Sequence, residues 1–232
     1  MKFDFYLFDL DGTLLHLGNI GIYVDQLLAK TLEILGARNL PKKDEKYRLW
    51  ASKEEFYDVL EEWGVKNSRD FWKVFDETDF KWRKKLIEKK QVFLYKDVYS
   101  SLEEIYYHKD SKKIALVSNT AYYIVEYILD TFGIAKYFHE TFSLGNYEND
   151  QELAKPSPKG ILTILDKLKY DPRESTAVFV GDSRLDIIAA KKAKINACLI
   201  RREINQRNMH YKKWNIPPDL VIEGLNELIN LK

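Results

Sequence analysis

The sequence predicts an α/β fold, a doubly wound parallel sheet with an inserted α-helical domain. Short apolar runs at Phe3 to Phe8, Ile114 to Val117 and Ala177 to Val180 have strand composition, and each is followed by a small or acidic residue. Amphipathic helical sequence separates each run from the next, as crossovers between parallel strands require. Between about Leu15 and Phe93 the period changes, and apolar residues recur at helical spacing with no strand among them.

The first run reads as a strand buried on both faces. It ends in two aspartates one residue apart, Asp9 and Asp11, with Gly12 and Thr13 directly behind. In the insertion, Ile20, Tyr23, Val24, Leu27, Leu28, Thr31, Leu32 and Leu35 form one helical face, and Gly36 supplies a stop. Ser52 and Glu55 have the spacing of a capping box for a second helix, lined by Phe56, Val59, Leu60 and Trp63 and ended by Gly64. One further helix is expected through Phe71, Trp72 and Phe75, and another through Trp82 and Leu86. Four of the five tryptophans fall in this stretch and are expected to fill the core of the helical module. Beyond it, helices are expected over Val98 to Tyr107, Tyr122 to Phe132, Pro158 to Leu168 and Leu185 to Ala193. Thr141 to Leu144, Ala197 to Ile200 and Leu220 to Ile222 complete a sheet of about six strands. The predicted division is a core of residues 1–17 and 93–232 with a helical domain of residues 18–92.

Composition narrows the function. With 232 residues the chain has room for one α/β domain and its insertion. Apolar residues make up 45% and charged residues 31%, yet the formal net charge is only +1, so no basic field exists to hold nucleic acid or an acidic membrane. A small diffusible partner is expected. No apolar stretch is long enough to span a bilayer, and Met1 to Asp4 reads as the start of a strand, not of a signal peptide. A single cysteine, Cys198, excludes an internal disulfide and a multi-cysteine zinc site, which fits a reducing cytoplasm; its expected role is a small buried hydrophobe.

In an open parallel sheet, ligands gather beyond the carboxyl ends of the strands. Those ends carry Asp9 and Asp11, then Ser118 and Asn119 in "LVSNT", then Asp182 and Asp186 in "VGDSRLD", with Lys155 ahead of a helix in "AKPSP". Several carboxylates brought together repel one another unless a cation lies between them. Magnesium takes hard oxygen ligands, and a phosphate can be held by that metal, a lysine, a hydroxyl and backbone amides. An aspartate can then attack phosphorus, while a second aspartate supplies and removes the proton. A calcium loop is excluded, because Gly12 comes too early and Ile20 stands where the closing glutamate belongs. His108, His139 and His210 lack metal-site spacing, and His16 reads as an incidental loop histidine.

"DLDGTL", "LVSNT", "AKPSP" and "VGDSRLD", in that order, resemble the four motifs of the haloacid dehalogenase-like (HAD) hydrolase superfamily. The resemblance implies a Rossmann-like core, with the helical insertion in the position of a C1-type cap. It implies Asp9 as nucleophile and Asp11 as general acid/base. Magnesium would be held by the Asp9 carboxylate, the Asp11 carbonyl and Asp182, with Asp186 in support. Ser118 and Lys155 would bind the phosphoryl group, and Thr13 and Asn119 would organise the site. Two turns depart from the pattern: Lys96-Asp97 where the family often has Pro-Gly, and Lys194 where it often has glycine. The polar segment Gly145 to Ala154 is an insertion placed to form a loop near the site entrance.

The expected activity is magnesium-dependent hydrolysis of a small phosphorylated metabolite through an aspartyl-phosphate. Dehalogenases of this superfamily generally lack the second aspartate, so Asp11 argues for phosphate. Phosphomutase chemistry would use the same residues, and phosphonate cleavage would need a cap lysine that the sequence does not single out. A non-catalytic binding protein on the same scaffold would have no use for Asp11. Arg48, Trp50 and Trp72 are candidates for substrate contact.

Overall fold

A computed structural model describes residues 2–51, 56–107, 112–145, 150–202 and 210–231. The expected Ser52–Glu55 capping box, His108 and residues 146–149 of the polar segment lie outside these. The chain forms two compact units, one of Met1–Leu17 with Phe93–Lys232 and one of Gly18–Val92.

The first unit is built on a six-stranded parallel sheet in the order β5-β4-β1-β6-β7-β8. Its strands are β1 (Phe5–Phe8), β4 (Lys113–Ala121), β5 (Glu140–Leu144), β6 (Ala177–Gly181), β7 (Asn196–Ile200) and β8 (Leu220–Ile222). Central β1 pairs Phe5 with Lys113 on one side and with Ala177 on the other. Helices α5 (Val98–Tyr107), α6 (Tyr122–Thr131), α7 (Lys159–Lys167), α8 (Arg184–Lys192) and α9 (Leu225–Ile229) make the crossovers and the final turn. Alternation along the strands divides the core. Phe5 and Leu7, with Ala115, Val117, Phe142, Phe179 and Leu199, pack against Ile161 and Ile164 of α7 and Ile187 and Ala190 of α8. Tyr6 and Phe8 point to the opposite face and are fully buried. Each such side chain contributes roughly 1.5–3 kcal/mol by leaving water. Cys198 is buried in β7, and burial pushes its thiol up to about 12, so it packs as an apolar group.

Strand β1 begins at Phe5, not Phe3, because Asp4 turns aside: its carboxylate accepts from the Thr176 amide at 2.9 Å and from Lys112 at 3.0 Å. Strand β4 runs past Val117 to Ala121, and its register with β5 shifts between those residues, which carries Ser118 and Asn119 beyond the regular ladder. An antiparallel ribbon of β2 (Leu15–His16) and β3 (Phe93–Leu94) had no signal in the sequence. Its residues are too few for a pattern.

The second unit is helical, with α1 (Ile20–Ile34), α2 (Lys43–Ala51), α3 (Phe56–Glu62) and α4 (Phe71–Glu88). Asn19 caps α1 by accepting the Ile22 amide at 3.1 Å. Leu28, Leu32, Leu49, Phe56, Leu60, Trp63 and Phe71 form the core, and Trp72 stacks on Phe56 with ring centroids 5.1 Å apart. The two helices expected around Phe71 and Trp82 are one. No glycine or proline interrupts residues 75–82, and Asp79 is held inside by Arg83 at 2.9 Å and by the Tyr23 hydroxyl. Trp50 is 44% exposed, and Arg48 pairs with Glu62 at 2.9 Å. Among the described residues no helix is long and apolar enough to cross a membrane.

Candidate active site

The chain winds outward from β1 to β4 and β5, then returns to the other side of β1 at β6, so the crevice beyond β1 is where winding reverses. Asp9 follows β1 directly, and its amide donates to the Val180 carbonyl at 2.9 Å. The chain then turns back sharply, with Gly12 at φ 80° and its amide on the Leu15 carbonyl at 2.8 Å. This turn brings the Thr13 hydroxyl to 3.5 Å from Asp9 Oδ2.

Three carboxylates meet there. Asp9, Asp182 and Asp186 each place an oxygen within 4.8 Å of the other two, and all three are buried. Lys155 comes from the loop before α7, with Nζ 2.5 Å from Asp9 Oδ1 and 2.7 Å from Asp186 Oδ1. Burial raises the Asp9 carboxyl to about 7, Lys155 pulling it down and Asp186 and Asp11 pushing it further up. Burial works against the Lys155 charge, but the two carboxylates outweigh it and hold the ammonium above its ordinary value. Three carboxylates against one ammonium suit a hard divalent cation, which takes oxygen ligands and tolerates a partly hydrated sphere. The donor set fits magnesium.

The other predicted residues arrange these groups. Asn119 grips the Lys155 backbone on both sides, donating to its carbonyl at 3.1 Å and accepting its amide at 2.8 Å. Ser118 is buried, and its hydroxyl accepts the Thr120 amide at 3.2 Å. Thr120 in turn donates its hydroxyl to Asp11 Oδ2 at 2.9 Å. Thr120 is a site residue that sequence reasoning passed over; its only signal was its place two residues after Ser118, beyond a strand end. Asp186 has two tasks, since Oδ2 also accepts the Ser183 amide at 2.9 Å and closes the capping box of α8.

Gly181 makes room for this. A Cβ there would lie 2.3 Å from Asp186 Cβ and Cγ. Gly181→Ala is expected to displace Asp186 and to lower stability by about 1–3 kcal/mol in urea unfolding. An unchanged midpoint would show that Asp186 is not held against β6.

The departures at the turns resolve locally. Lys194 takes the left-handed backbone, φ 60°, that glycine would adopt more readily. Asp97 accepts the Leu225 amide at 2.7 Å and both Arg202 Nη1 contacts, at 2.6 and 2.7 Å, so a side chain does work there that glycine could not.

The model of the haloacid dehalogenase-like hydrolases matches residues 6–200. The chain is 27% identical over 223 residues to the pyrophosphatase PpaX of Listeria welshimeri, covering 96% of this chain and 93% of that one. It is 29% identical over 232 residues to a phosphoglycolate phosphatase of Pseudomonas fluorescens, covering 96% and 77%. Its backbone is similar to that of CbbY from Rhodobacter sphaeroides, solved in complex with phosphate, with TM-score 0.68, 17% identity and coverage of 98% and 96%.

Proposed function

The chain belongs to the haloacid dehalogenase-like hydrolases, and from that premise we propose that it is a magnesium-dependent phosphatase of small phosphorylated metabolites, working through an aspartyl-phosphate. The observation that carries this reading is the buried cluster of Asp9, Asp182 and Asp186 closed by Lys155. Such a group of anions has no packing value of its own.

In this reading Asp9 attacks phosphorus through one carboxylate oxygen, and the bond to the leaving oxygen breaks. Asp11 gives its proton to that oxygen and then takes one from the water that attacks the phosphoryl-aspartate. Its bond to Thr120 fixes the carboxyl's direction. Lys155, oriented through its own backbone by Asn119, draws the phosphoryl oxygens, and Ser118 adds a hydroxyl. Thr13 holds Asp9 from the other side. The Asp9 and Asp182 carboxylates and the Asp11 carbonyl would hold magnesium, with Asp186 in support. When bound, the metal would neutralise phosphate charge as a Lewis acid.

The helical unit, residues 18–92, is part of the proposal as the cap that selects the substrate. So is operation in the reducing cytoplasm, supported by a lone buried thiol. Pyrophosphate and phosphoglycolate, the substrates in the names of two relatives, are the first to try. Incubation with these and with p-nitrophenyl phosphate, in magnesium and in EDTA, should show phosphate release only with metal. Release indifferent to EDTA, or no release from a broad metabolite panel, would overturn the reading.

A further inference from the structure

The Arg202 side chain is 6% exposed and lies just beyond β7, 189 residues along the chain from Thr13. Its Nε donates to the Thr13 carbonyl at 2.9 Å, and its Nη1 reaches both oxygens of Asp97. The guanidinium sits over the Tyr95 ring, 4.4 Å from the centroid. Tyr95 in turn donates its amide to the Leu14 carbonyl at 3.1 Å, and Asp97 accepts the Leu225 amide at the start of α9. The remaining nitrogen, Nη2, is buried and has no hydrogen-bond partner among the described residues. The guanidinium is therefore oriented for what Nε and Nη1 hold, at the expense of its third corner.

Thr13 is the residue held at both ends, its carbonyl by Arg202 and its hydroxyl against Asp9. We propose that Arg202 is a positioning residue: it anchors the turn from Asp9 to Thr13 to the starts of α5 and α9, and so keeps the Asp9 carboxylate aimed for attack. The inference rests on the phosphatase reading and adds to it a residue that touches no reacting atom. A lysine is a poor substitute, because a single point charge on a flexible stem lacks the planar fork that fixes separate N–H donors on the Thr13 carbonyl and the Asp97 carboxylate while stacking on Tyr95.

Three variants test this: Arg202→Lys, Thr13→Val and the double substitution, assayed with p-nitrophenyl phosphate and magnesium below their melting temperatures. Arg202→Lys should lower kcat by about 10- to 100-fold and leave KM within about twofold. The double variant should lose little more than Thr13→Val alone, because the Arg202 hold on the Thr13 carbonyl reaches Asp9 through the Thr13 hydroxyl, which that substitution has already removed. Losses that multiply, or a kcat equal to wild type, would overturn the proposal. Should Arg202→Lys fold poorly, Asp97→Asn loosens the same guanidinium from its other side and should give the same kcat loss. Amide exchange in the peptide covering Leu10 to Leu17 gives a readout without turnover. Faster exchange in Arg202→Lys supports the anchor, and unchanged exchange refutes it. A wild-type protein without phosphatase activity would sink the enzymatic reading, while exchange alone would still decide whether Arg202 holds the turn.

Discussion

Asp9→Asn should abolish metal-dependent phosphate release, lowering kcat by at least about 10⁴-fold, because an amide oxygen is a far weaker nucleophile and no neighbouring group can take its place. Of the other carboxylates, Asp11 is engaged with Thr120 and Asp186 with Lys155 and Ser183, while Asp182 is assigned to the metal in the proposed reading. The fold should survive. Asn keeps the side chain's volume, and Asp9 stands beside two other buried acids, so removing its charge relieves repulsion as well as an attraction to Lys155. The expected result is a melting temperature at or above wild type with kcat at background. Residual turnover within tenfold of wild type would show that Asp9 is not the nucleophile, and a collapsed fold would show that its ion pair with Lys155 dominates its energetics.

Lys155→Met should damage both stability and activity. The ammonium bridges two buried carboxylates, and removing one partner of a buried ion pair costs about 3–5 kcal/mol because the remaining charges lose their compensation. In EDTA at pH 8 the variant should unfold at markedly lower urea than wild type. The sign of the pH dependence follows from Asp9. Its folded value, about 7, lies above the unfolded 3.8, so the stability it lends through protonation is complete below 3.8 and lost as pH rises through 7. Without Lys155 that value moves higher still. The deficit of the variant should therefore be smaller at pH 5 than at pH 8. Activity should fall by about 10²–10³-fold even with magnesium present, since a donor to the phosphoryl oxygens is gone. A deficit that is the same at both pH values would place the Lys155 contribution in packing, not charge.

How much of this could be read beforehand depends on the range of the interaction. The six strands are legible because parallel strands buried on both faces must be apolar throughout and must stop at small or polar residues. The grouping of Asp9, Lys155 and Asp182 is legible through strand ends, since topology alone brings those ends to one side. What escaped depends on contacts between segments remote in sequence. Whether α4 breaks near residue 78 turns on Asp79, a charged residue in mid-helix that looks solvated until Tyr23 and Arg83 are seen to enclose it. Arg202 looks like one of several surface cations until Thr13, Tyr95 and Asp97 surround it. Asp97 stands out in the sequence only as a departure from the family's frequent Pro-Gly turn, for the same reason. Thr120 required the shift of β4 against β5, which no periodicity announces.

The central place of β1 has a consequence for biosynthesis. Both neighbours of this strand are translated well after it: Lys113 for one side and Ala177 for the other. At ordinary translation speed the apolar strand waits on the order of ten seconds or more for its second neighbour, a hazard for aggregation that a chaperone can cover. The same delay postpones the site, because a ribosome-bound fragment that stops short of Asp182 holds Asp9 and Lys155 but neither Asp182 nor Asp186, so the carboxylate cluster cannot assemble until β6 and α8 have emerged.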